Sequence, residues 1–83
     1  MNEIEKASAA KTLADDETFK EVMQEVRDKQ VAVFMKSNSS LDDREKAHSV
    51  IRGLNSIAGH IARLMRAGDV EKFKQEKDQH RDG

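Results

Sequence analysis

An apolar stripe runs through residues 41–67 without a polar interruption, and it decides what this chain can fold into. Ala47, Val50, Ile51, Leu54, Ile57, Ala58, Ile61, Leu64 and Met65 recur at alternating spacings of three and four. That period matches the 3.6-residue turn of an α-helix and places all nine side chains on one face. A strand would scatter them to both faces. The chain has no Pro and four Gly, and 37% of its residues are charged, which is the composition of long solvated helices. The spacing predicts a helix from about Leu41 to Ala67. Gly68 is the expected stop, with Arg63 and Arg66 complementing the negative end of the dipole.

A second helix is predicted from about Asp15 to Lys36. Asp15 or Asp16 can cap it, and Phe19, Val22, Met23, Val26, Val33 and Phe34 form its stripe. Lys29 and Gln30 interrupt that stripe, either as a register device or as the edge of a short contact. Ser37-Asn38-Ser39-Ser40 is the clear loop between the two. Asn38 can adopt the left-handed conformation that ends a helix. Ser40 with Asp43, or Asp42 with Glu45, can cap the next one. So short a connection makes the two helices antiparallel neighbours. Residues 2–13 form a weak segment: Ile4, Ala7, Ala10 or Lys11, and then Ala14 recur at helical spacing with little apolar area, so a frayed helix or a tail that orders on a partner is expected. After Gly68, Asp69 can cap a short polar helix, with Val70 and Phe73 folding back onto the hairpin. His80–Gly83 should fray. The predicted fold is therefore all-α: an antiparallel helical hairpin with a weak N-terminal helix and a short polar C-terminal helix. It is one small domain over 1–83, with its core over about 15–68 and flexible ends at 1–12 and 74–83.

Two helices cannot enclose their own apolar stripes. Phe19, Val26, Phe34, Leu54, Ile57, Ile61 and Leu64 are expected to form the core and the self-association surface. The remaining apolar area would go against a second copy, giving a four-helix bundle, or against a larger protein assembly. Charge is segregated in a way that suits such packing. Residues 1–43 hold 6 Lys/Arg against 10 Asp/Glu, and residues 44–66 hold 5 against one.

Catalysis has little footing. The chain has no Cys, no HExxH pair, no Gly-rich phosphate loop and no nucleophile elbow. His48 and His60 lie twelve residues apart, so on one helix they point about 120° away from each other and cannot share a metal. No catalytic residue, metal, cofactor or small-molecule substrate is expected. The longest apolar run, Val31–Met35, is far short of a membrane span, and the first residues lack the features of a secretory signal. A cytoplasmic protein is the expectation.

One feature goes beyond what a core requires. Ser49, Gly53, Ser56 and His60 form a line on the Leu41–Ala67 helix about 120° from the apolar stripe. Gly59, Arg52, Arg63, Arg66 and His48 lie just beyond it. Each glycine within a helix costs about 1 kcal/mol relative to Ala. Arg52, Gly53, Ser56, Gly59, His60, Arg63 and Arg66 therefore form a candidate docking face, against the plainer reading of a solvated surface. Direct nucleic-acid binding is less favoured. The cations are few, no aromatic residues interleave with them, and the rest of the chain is acidic. Pairing of the arginines with Glu21, Glu25 and Asp28, within or between chains, is the favoured alternative.

The segments DDETFKEVMQEV and LDDREKAHSVIRGLNSIAGHIARLMRAGD resemble small helical-hairpin proteins encoded by tailed bacteriophages and prophages, often among packaging and head-tail genes. The shared pattern covers roughly residues 13–70. It consists of an acidic cap before Phe, an amphipathic helix, a Ser/Asp turn, and an R-E-x-A-H-x-x-I-R-x-L helix ending in Gly. The resemblance implies a structural or accessory role in the virion or in the cytoplasm of the infected cell, and it supplies no catalytic residues. The alternatives are a small regulator or inhibitor of a host protein, and a nucleic-acid-binding accessory.

Overall fold

The computed structural model describes residues 1–81, with side chains through Lys77. Among the described residues there are three helices and no strand: α1 (Glu3–Asp15), α2 (Glu17–Met35) and α3 (Leu41–Arg81). The chain divides into two compact units. One comprises Asp16–Ala58, and the other joins residues 1–15 to the chain from Gly59 onward.

In the Asp16–Ala58 unit, each helix end has a side chain to satisfy it. Asp16 is extended, with φ −68° and ψ 123°, and its carboxylate accepts the Phe19 N–H at 2.7 Å. This is the N-cap expected at Asp15 or Asp16. At the other end of α2, Ser39 Oγ donates to the Val33 carbonyl at 2.7 Å, and the Lys36 N–H donates to the Ala32 carbonyl at 3.2 Å. The left-handed turn expected at Asn38 is absent, since no described residue has positive φ. A serine hydroxyl takes one of the carbonyls that such a turn would have satisfied. Helix α3 opens with a reciprocal pair. The Asp43 N–H donates to Ser40 Oγ at 3.0 Å, and the Ser40 N–H donates to the Asp43 carboxylate at 3.4 Å.

Arg27 then reaches across to Asn55 Oδ1 at 3.0 Å, which ties α2 to the first half of α3 in antiparallel array. Ala47 and Leu54 are buried at 2% and 7% exposure. Phe19, Met23, Val26, Val33 and Ile51 are half-buried. Gln30, at the break in the α2 stripe, is half-buried and lines a hollow with Val33, Ala47 and Val50.

In the other unit, Asn2 caps α1 by accepting the Glu5 N–H at 2.8 Å. Ala7 and Ala10 are the buried residues of α1. The Ala7 methyl lies against Gly68, so close that a β-carbon added at Gly68 would overlap it; that β-carbon would also lie 3.3 Å from the Glu3 carbonyl oxygen. Leu13, near the other end of α1, shares a hollow with His60, Ile61 and Leu64. Helix α1 therefore runs antiparallel to this part of α3. The N-terminal segment was expected to fray or to order on another protein, and it instead finds its seat on its own chain.

Gly68 does not end the helix. α3 continues through it to Arg81 as one element of 41 residues, and no described glycine has positive φ. A glycine terminates a helix by turning left-handed. Here it keeps helical geometry beside the good helix former Ala67, and its missing side chain makes room for α1. The expected separate helix after Gly68 is thus the continuation of α3, with Asp69 inside it. Val70 and Phe73 stay 53% and 64% exposed rather than folding back. The fraying expected at the C-terminal end includes Asp82 and Gly83, which lie outside the described residues.

Candidate functional site

The residues of the candidate docking face are all exposed. In the Asp16–Ala58 unit, Arg52, Gly53 and Ser56 join Ser49 around an open hollow of about 460 Å³. A β-carbon at Gly53 would meet nothing within 4 Å. Ser49 Oγ donates to the Glu45 carbonyl at 3.0 Å, so its hydroxyl is engaged within its own helix. In the other unit, Gly59 is equally open, and His60 flanks the hollow that it shares with Leu13, Ile61 and Leu64. Neither Gly53 nor Gly59 receives another part of this chain. Within the chain, the close approach to a helical glycine is at Gly68. A signal for it was present in the small residues Ala7 and Ala10, three apart on one face of α1.

The arginines are left without the partners expected for them. Ion pairs among the described residues are Lys11–Asp15 at 2.9 Å, Lys20–Glu17 at 3.5 Å and Lys46–Asp42 at 3.0 Å, each within one helical turn. None uses an arginine. Asp28 accepts from Gln24 Nε2 at 2.8 Å, and Arg27 is bonded to Asn55. Within the Asp16–Ala58 unit, Glu21, Glu25 and Asp28 therefore form no ion pair with Arg52. Lys11 has a raised pKa. The hydrogen bond from its ammonium to Asp15, and the charge of that carboxylate, raise it above the ordinary value of 10.5.

The apolar set splits by depth. Leu54 is buried, while Phe19, Val26, Ile61 and Leu64 are half-buried. Phe34 and Ile57 are 42% and 47% exposed. Val22, Val31, Met35, Leu41 and Val50 of the same unit are exposed as well. Among the described residues, no three His, Cys, Asp or Glu groups are placed to hold a metal ion. Among the described residues, no helix is long and apolar enough to cross a membrane. What this surface offers is apolar area and, among the described residues, arginine side chains without an ion-pair partner. No protein family, curated protein or solved structure matches this chain.

Proposed function

We propose that this protein is a non-enzymatic helical interaction module that completes its hydrophobic core against another protein chain, first of all a second copy of itself. The observation that carries this reading is the thinness of the core. The buried hydrophobic residues are Ala7, Ala10, Ala47 and Leu54, while Val22, Val31, Phe34, Val50 and Ile57 remain exposed. Burying apolar surface gains about 25 cal/mol per Å², so side chains of this size left in water are the strongest drive for association that the chain has. The resemblance to phage and prophage hairpin proteins supports a place for the module in virion assembly or in an accessory role beside it. Sedimentation equilibrium at micromolar concentration tests the reading. A dimer or larger species is expected.

Arg52, Arg63 and Arg66, exposed and free of acidic partners among the described residues, favour an anionic surface as a second target. A regulator docking on an acidic host protein and a nucleic-acid accessory both draw on the same guanidinium groups. Retention on immobilised DNA that falls steeply with salt would favour the nucleic-acid form. Salt-insensitive loss in the wash would remove it.

A further inference from the structure

The exposed apolar residues of the α2–α3 hairpin are divided between its two broad sides. Val33 and Val50 flank one hollow with Gln30 and Ala47. Val22 lies eleven residues before Val33, and Ile57 seven after Val50, so each returns to within about 20° of the other valine on its helix. Val22, Val33, Val50 and Ile57 therefore share one side. Val22 is 51% exposed, Val50 39% and Ile57 47%. We propose that this side packs on the same side of a second copy, with the two α2 helices antiparallel and the two serine-rich loops at opposite ends. This deepens the self-association proposed above and rests on it.

Charge selects both the side and the direction. Glu25 and Lys29 are exposed and lie between Val22 and Val33 along α2, within about 80° of them around the helix. An antiparallel crossing that sets Val22 against Val33 of the second copy brings Glu25 of each chain beside Lys29 of the other. The seam then carries two reciprocal ion pairs, a self-complementary pattern that a two-fold axis requires. With the loops at the same end, α2 would instead lie on α3 of the second copy. Lys36 would then meet Lys46, since both line the hollow at the loop end, and like charges oppose that direction. The other side of the hairpin is less suited. Val31 and Phe34 lie four and seven residues after Arg27 and share its side, about 120° from Val33 in the case of Arg27. The Arg27–Asn55 bond crosses that side and sets a cation among its apolar residues.

Gly53 supplies the fit on α3. The Arg27–Asn55 bond holds Asn55 level with Arg27, close to the midpoint between Val22 and Val33 about which the crossing turns. Gly53 and Ile57 stand two residues to either side of Asn55. The two-fold crossing therefore lays Ile57 of one chain over Gly53 of the other. A β-carbon at Gly53 would meet nothing within 4 Å, so the room that an isoleucine side chain needs is open.

Exchanging charges tests the register. Glu25→Lys gathers four lysines at the seam of a dimer, and Lys29→Glu gathers four glutamates. In sedimentation equilibrium at low salt, each variant alone should associate roughly tenfold more weakly than the parent. Circular dichroism should show parent helicity, since both positions are exposed. An equimolar mixture of the two variants should recover association to within about twofold of the parent, because each lysine then meets a glutamate of the other chain. The double variant Glu25→Lys/Lys29→Glu should recover it as well. A parent dimer whose single variants associate as tightly as it does, or whose mixture and double variant stay weak, overturns this crossing and leaves self-association standing. A parent that is monomeric at every concentration overturns both.

Discussion

Glycine is the residue through which this chain sets how closely its helices approach, and the three helical glycines do different things. Gly68 carries α1 against it, so Gly68→Ala forces Ala7 to move and should destabilise the protein by about 1–3 kcal/mol, the usual cost of overpacking. Gly53→Ala and Gly59→Ala place a methyl in open space and should each stabilise the isolated chain by about 0.4–1 kcal/mol. Thermal melts of the three variants at low protein concentration check both signs. Sequence alone marked the cost of Gly53 and Gly59 but took Gly68 for a terminator. A glycine after an apolar stripe reads the same way whether it turns left-handed or receives a methyl from elsewhere in the chain. Lys11 adds a pH effect of defined sign. Its folded pKa is raised, so the contribution of its pair with Asp15 is complete below about pH 10.5 and is lost as pH climbs through the raised value. Circular dichroism between pH 6 and 9 should therefore show no loss of α1 from this pair.

At the scale of helices, the ends are fixed by side chains that the sequence displays openly. Asp16 before α2 and the Ser40–Asp43 pair before α3 follow from residue type and spacing alone. Ser40→Ala removes the acceptor for the Asp43 N–H and should cost about 0.5–2 kcal/mol, read as a lower urea midpoint. Other ends were not legible. Ser39 closing on Val33 depends on the path of the loop, which a run of serines does not specify. The continuation of α3 past Gly68 depends on α1 taking the other side of that glycine. The ion pairs seen among the described residues use lysines and no arginine. Formal charge says nothing about reach, and each lysine–carboxylate pair formed locally instead.

For the molecule as a whole, the governing fact is how little of its apolar surface one chain buries. The stripe in residues 41–67 was plain from its period, and so was its inability to be covered by one neighbour. Which of its members sink and which remain exposed followed from the packing. Leu54 sits at 7% exposure and Ile57, one turn on, at 47%. Two substitutions separate folding from association on this ground. Leu54→Asp buries a carboxylate with no partner and should unfold the α2–α3 hairpin. Ile57→Asp puts the charge on an exposed position, and should leave helicity nearly intact while abolishing self-association. The most direct test is sedimentation equilibrium of the unmodified chain across the micromolar range, with Ile57→Asp beside it. The account predicts a dimer or larger species for the parent and a helical monomer for the variant. A parent that stays monomeric across the range, yet melts cooperatively, would contradict it.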